Sequence, residues 1–166
     1  AEAAKMLEAE IIVNIQGDEA LVKPEHIDAV TQVLLDDETL NVAIVVNHFD
    51  KKNSESDIKV VLNQNNEVLY LSRSDIPNDS RDKNSKMLKA YHIVPFRKIF
   101  LIKYTKWPKG KLETVEYNEY LRILENGYKI KAVHVESSAI SVDTEEDLKF
   151  VRNAMITDPL FQQYSP

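Results

Sequence analysis

Cysteine is absent from the 166 residues. Its absence excludes disulfides and thiolate metal sites and permits a reducing compartment. No apolar run approaches the roughly 20 residues that a membrane span needs, and no secretory leader is recognised within these residues. A soluble, cytoplasmic protein with no membrane partner is expected. A basic surface is also lacking. Lys and Arg number 21 against 27 Asp and Glu, for a net charge of −6, and no Lys/Arg run occurs, so nothing supports a nucleic-acid partner. Glycine is scarce, at three residues, and no internal repeat is present. Hydrophobic residues make up 43% of the chain, enough for one core, and 1–166 reads as a single domain.

The most informative stretch that is present runs from 11 to 19. Ile11, Ile12, Val13 and Ile15 form a β-branched run that predicts a buried strand. Gln16-Gly17 then predicts a turn at the strand's C-terminal edge, with Asp18 and Glu19 facing outward. Open α/β sheets bind ligands at that edge. A carboxylate there suits Mg²⁺, which takes oxygen donors and uses one or two carboxylates together with phosphates. The ordinary alternative for Asp18 is a turn or helix-capping aspartate.

The first nine residues read as the end of an alanine-rich helix. Lys23-Pro24-Glu25 opens a helix that carries Ile27, Val30, Val33 and Leu34 at helical spacing. Residues 42–46 form a second buried strand, after which His48 reads as solvated or capping. Two strands at 58–62 and 68–71, joined by an Asn-rich turn, predict a β-hairpin. Arg73, at the end of that hairpin, is either a surface ion-pair partner or a two-pronged holder of a carboxylate. A loop is expected over 78–86, a strand over 87–96, a helix over 97–104 and a longer helix over 112–125 closed by Asn126-Gly127. A strand at 128–135 follows. Asp143 with Glu146 three residues later resembles a capping box, which gives Asp143 a purely structural reading, and 158–166 reads as a tail.

Taken in register, several of these segments resemble the 3-deoxy-manno-octulosonate cytidylyltransferases. The resemblance rests on Val-Asn-Ile-Gln-Gly-Asp-Glu at 13–19, Ile-Lys-Val-Val-Leu at 58–62, Leu-Tyr-Leu-Ser-Arg at 69–73 and Ile-Pro at 76–77. It continues through Leu-Glu at 112–113, Glu116, Glu119, Leu-Arg at 121–122, Leu-Glu-Asn-Gly-Tyr-Lys-Ile at 124–130 and Ser-Val-Asp-Thr-Glu-Glu-Asp-Leu at 141–148. The shared order makes the match specific, since any one segment could arise in an unrelated α/β protein.

The resemblance implies the C-terminal portion of a Rossmann-like nucleotidyltransferase fold: a mixed, mostly parallel sheet flanked by helices, with a β-hairpin insertion. It implies transfer of CMP from CTP to the C2 hydroxyl of a 3-deoxy-2-ulosonic acid, with release of pyrophosphate and with Mg²⁺ as cofactor. Asp18 and Asp143 then match the catalytic, metal-binding aspartates. Arg73 matches the arginine that holds the sugar carboxylate, and Gln16, Gly17 and Glu119 complete the substrate-binding set. A homodimer is implied, with 76–104 as the contact region. Three departures stand out. The family's triphosphate loop, of the type Pro-Ala-Arg-x-x-Ser-x-Arg-x-Pro-x-Lys, has no counterpart in these residues, so a longer native protein, or dependence on a partner or on self-association, is expected. A His and a Tyr four residues on are Ala90 and Val94 here, with His92 between them. A Gln beside Glu119 is Tyr120, which points to a modified sugar. The alternative to an enzyme is a non-catalytic remnant that serves as a binding or assembly module.

Overall fold

The structure, a computed structural model, describes residues 1–82, 85–136 and 141–164. A one-turn helix α1 (Glu2–Lys5) precedes strand β1 (Ile11–Ile15), helix α2 (Pro24–Asp36) and strand β2 (Ala43–Phe49). The hairpin strands β3 (Lys59–Leu62) and β4 (Val68–Ser72) follow, then β5 (Met87–Tyr91), β6 (Ile93–Arg97) and helix α3 (Lys98–Tyr104). Helices α4 (Lys111–Glu116) and α5 (Leu121–Glu125) lead into β7 (Lys131–His134), and α6 (Glu145–Met155) and α7 (Pro159–Tyr164) come last. No helix among the described residues is long and apolar enough to cross a membrane.

Strand β2 shows why an unbroken apolar run folds here as a strand. Successive side chains of a strand face opposite sides, so only a strand covered on both faces can be apolar throughout. Ile44 and Val46 enter a cluster with Phe96, Leu121, Ile123 and Ile130. Ala43 and Val45 enter another with Tyr91, Ile93 and the α2 residues Val30 and Leu34. Val30 and Leu34 lie four residues apart on one helix face and are fully buried, as their spacing requires.

The larger sheet has the order β4-β3-β5-β2-β7, and β1 pairs with β6 separately. The sheet is mixed, as expected, but the balance of directions is reversed. Among the described residues β2–β7 is its one parallel pairing, whereas β2–β5, β3–β5 and β3–β4 are antiparallel. Parallel neighbours need a long crossover, usually a helix. The links 50–58 and 73–86 show no helix among their described residues, so each following strand turns back, while β7 follows β2 only after α3, α4 and α5.

Other expectations change for local reasons. The 87–96 run parts at His92 into two strands: β5 stays in the larger sheet and β6 crosses to β1. Strand β1, paired along one edge only, is half-buried rather than buried, and Ile15 is 39% exposed. The helix expected over 112–125 breaks at Tyr117, which adopts φ +53° and ψ +43°, a left-handed conformation costly for a side chain of this size. Asn118 restarts the chain as α5, its Oδ1 accepting the Tyr120 amide at 3.0 Å. Gly127, at φ +77°, closes α5 as read from sequence. The cap of α6 is Thr144, not Asp143. Thr144 Oγ1 accepts the Asp147 amide at 3.2 Å, and Asp147 Oδ2 accepts the Thr144 amide at 2.8 Å. The expected tail contains α7, and its last residues, 165–166, lie outside the described residues, as do 83–84 of the expected 78–86 loop.

Candidate active site

Five of the six candidate residues line one cavity of about 220 Å³: Gln16, Asp18, Arg73, Glu119 and Asp143. Gly17 lies in the same turn but not on the wall, and a Cβ added there meets no atom within 4 Å. A larger cavity of about 570 Å³, bordered by Asp37, Glu67, Lys129 and Lys131, holds none of the candidates.

The acidic wall grows from the end of β1. The Gln16 amide donates to the His92 carbonyl (3.4 Å) and the Glu19 amide donates back to the Gln16 carbonyl (3.2 Å), which closes the turn. Asp18 then emerges beside residues 141–143, and its carbonyl accepts the Val142 amide at 3.0 Å. Its Oδ1 is buried with no hydrogen-bond partner among the described residues. Desolvation pushes the Asp143 carboxyl above the usual aspartate range, and the like charge of Asp18 adds to the rise. Glu19, expected to face outward, is instead buried. The turn carries it under the surface, where Ser141 and the His92 amide donate to it at 3.0 and 3.2 Å.

The opposite wall is cationic and closely tied. Arg73 donates through Nε to the Glu116 carbonyl (2.9 Å), through Nη1 to those of Glu55 (2.7 Å) and Ser56 (3.3 Å), and through Nη2 to that of Tyr117 (3.4 Å). A guanidinium has five N–H groups, so one remains for a ligand carboxylate unless these bonds exchange. Glu116 orients the strand end, accepting from Tyr70 and Ser72 hydroxyls and from the Arg73 amide at 3.2, 2.8 and 2.9 Å. Lys59 is fully buried, and its ammonium donates to the carbonyls of Ser54, Asp57 and Arg73. Desolvation lowers its pKa. Lys89 forms an ion pair with Asp57. Burial works to raise the Asp57 carboxyl, but the hydrogen bonds from Lys89 and Ser54 outweigh it and hold it below the usual range.

Sequence reasoning missed Lys59, Lys89, Asp57 and the inward Glu19. A signal did exist for the lysines: each interrupts an apolar strand, and lysine is rarely buried without partners. The departures at the expected sugar contacts also resolve. Ala90 and Val94 are fully buried in the core, whereas His92 lines the cavity and stacks on Tyr120 at 6.1 Å between ring centroids. His48 is exposed, in line with the solvated reading.

A family model described as cytidylyltransferase matches residues 1–130. The chain belongs to the cytidylyltransferase family. Among curated relatives, the 3-deoxy-manno-octulosonate cytidylyltransferase of Fusobacterium nucleatum is 38% identical over 153 residues, which cover 90% of this chain and 62% of the relative. The protein of the same name from Solibacter usitatus is 37% identical over 155 residues, at 91% and 62% coverage. The chain thus spans about 62% of the length of these cytidylyltransferases. In structure it is similar to CMP:2-keto-3-deoxy-manno-octonic acid synthetase complexed with CTP, with a TM-score of 0.87 and 32% identity over 93% of this chain and 65% of that one. The 4-diphosphocytidyl-2C-methyl-D-erythritol synthase of Anaerococcus prevotii, at 16% identity and a TM-score of 0.54, shares the fold.

Proposed function

We propose that this cytidylyltransferase-family protein transfers CMP from CTP to the anomeric C2 hydroxyl of a 3-deoxy-2-ulosonic acid. The C2 hydroxyl oxygen forms a bond to the α-phosphorus and gives up its proton to solvent, the bond from that phosphorus to the bridging oxygen breaks, and pyrophosphate leaves. The observation that carries the reading is the meeting of Asp18 and Asp143, far apart in sequence, in one cavity with Gln16, Arg73 and Glu119. The names of the curated relatives and the CTP-bound structural neighbour support the substrate class.

The donor set fits Mg²⁺. Asp18 offers a buried oxygen without a partner, and the Asp143 carboxyl is held up by burial and by Asp18, so a divalent cation relieves both conditions. Mg²⁺ uses one or two carboxylates and completes its shell from phosphate oxygens and water. When bound, Mg²⁺ supplies charge neutralisation on the phosphates. The protein side chains orient. Gln16 and Glu119 offer hydrogen bonds to sugar hydroxyls, Arg73 presents its remaining N–H to the sugar carboxylate, and the turn at 16–19 fixes Asp18. A second copy of the chain packs through the 76–104 region, where Ile99 of α3 is 85% exposed.

Pyrophosphate release from CTP in the presence of 3-deoxy-manno-octulosonate and Mg²⁺ tests the reading. Asp18→Asn is expected to lower the rate at least about 10²-fold, the scale of losing one electrostatic group from a reaction site, while the melting temperature stays nearly constant. Equal turnover by parent and variant would remove Asp18 from the site.

A further inference from the structure

We propose that Glu19 is a positioning residue that clasps the segment carrying Asp143 against the turn carrying Asp18; its consequence for metal binding rests on the function proposed above. The Glu19 side chain is fully buried. Its Oε1 accepts hydrogen bonds from Ser141 Oγ at 3.0 Å and from the His92 amide at 3.2 Å, and it lies 3.5 Å from His92 Nδ1. A buried carboxylate is costly unless donors meet it; those at Oε1 come from the β5–β6 junction, which β6 already pairs to β1, and from the segment that carries Asp143, while Oε2 is buried with no partner among the described residues. His92 marks the junction of β5 and β6, and Ser141 sits two residues before Asp143.

A second bond makes the arrangement a grip rather than a single contact. The Val142 amide donates to the Asp18 carbonyl at 3.0 Å. Residues 18 and 19 thus hold residues 142 and 141, one by backbone and one by side chain, and the register of these two bonds sets where Asp143 stands relative to Asp18. Two carboxylates brought to one cavity repel each other, so their approach needs a restraint from outside the pair. Glu19 supplies it without touching substrate or cation.

The test measures hydrogen exchange of the Val142 amide together with binding of Mn²⁺ in the presence of CTP, in the parent and in Glu19→Ala, Glu19→Gln and Ser141→Ala. Glu19→Ala is expected to speed Val142 exchange about tenfold or more and to weaken Mn²⁺ binding about tenfold, the lower end of effects seen for groups that orient metal ligands. Glu19→Gln keeps an acceptor oxygen for both donors and restores both readouts to near the parent. Ser141→Ala moves both in the same direction by less. Unchanged Val142 exchange in Glu19→Ala and Ser141→Ala overturns the clasp, and faster exchange with parental Mn²⁺ affinity overturns its positioning role. If Glu19→Ala fails to fold, Ser141→Ala and the rescue by Glu19→Gln decide. A parent that binds no Mn²⁺ defeats the function proposed above, and Val142 exchange still decides whether Glu19 holds the two segments together.

Discussion

The two walls of the cavity differ in how completely their charges are met. On the cationic wall, Arg73 serves four carbonyls and Lys89 is paired with Asp57, and behind that wall the buried Lys59 serves three more. On the acidic wall, Asp18 keeps a buried oxygen without a partner, and Asp143 stands where burial and a like charge both work against its ionisation. Groups whose bonds are closed within the protein hold its shape. The unmet oxygen of Asp18, which lines the cavity, is available to a ligand.

The comparison breaks most severely at Lys59. Lys59→Met leaves buried carbonyls of Ser54, Asp57 and Arg73 without their donor, and each such loss costs about 1–3 kcal/mol. Allowing for relaxation, urea unfolding is expected to show a loss of roughly 3 kcal/mol. A variant as stable as the parent would mean that Lys59 does not organise the wall.

The next effect sharpens the contrast by titration. Asp143 and Asp57 share one cavity and shift in opposite directions from the ordinary aspartate value of 3.8. The raised carboxyl of Asp143 favours the fold below 3.8, and that contribution is lost as pH rises through its folded value. The depressed carboxyl of Asp57 favours the fold above 3.8, and that contribution is lost as pH falls through its folded value. Carboxyl-carbon NMR is expected to place Asp143 above 3.8 and Asp57 below it, and Asp18→Asn to bring Asp143 part of the way down. Identical titrations would erase the distinction between the walls.

The smallest expected effect is on stability at Asp18. Because its Oδ1 has no internal partner, Asp18→Asn is expected to change the unfolding free energy by less than about 1 kcal/mol, the range of substitutions that break no internal network. A loss as large as that at Lys59 would assign Asp18 to structure.

Much of this was legible in the sequence because it depends on periodicity and order. The apolar run at 42–46 can only be a strand buried twice, Val30 and Leu34 can only share a helix face, and the ordered motifs bring Gln16, Asp18, Arg73, Glu119 and Asp143 to one cavity. What was not legible depends on partners distant in sequence. The break at Tyr117 breaks no helical spacing in the residues around it. Thr144 rather than Asp143 caps α6 because Asp147, not Glu146, returns the bond. Strand direction follows from which links lack a helix, a clue present in the sequence but masked by the expectation of a parallel fold. Glu19 is expected to face outward when the turn at Gln16-Gly17 is read as presenting both carboxylates at the sheet edge, whereas that turn carries its side chain inward to Ser141 and the His92 amide.

The central claim is that the open acidic wall is a site for a metal-bound nucleotide, and a thermal melt tests it most directly. The chain is melted alone, with CTP, and with CTP plus Mg²⁺, beside Asp18→Asn under the same conditions. Ligand at about 100 times its dissociation constant stabilises the native state by about 2.7 kcal/mol, so the account predicts a clear rise in melting temperature that requires Mg²⁺ and is absent in Asp18→Asn. No rise in the parent, or the same rise in the variant, would contradict it.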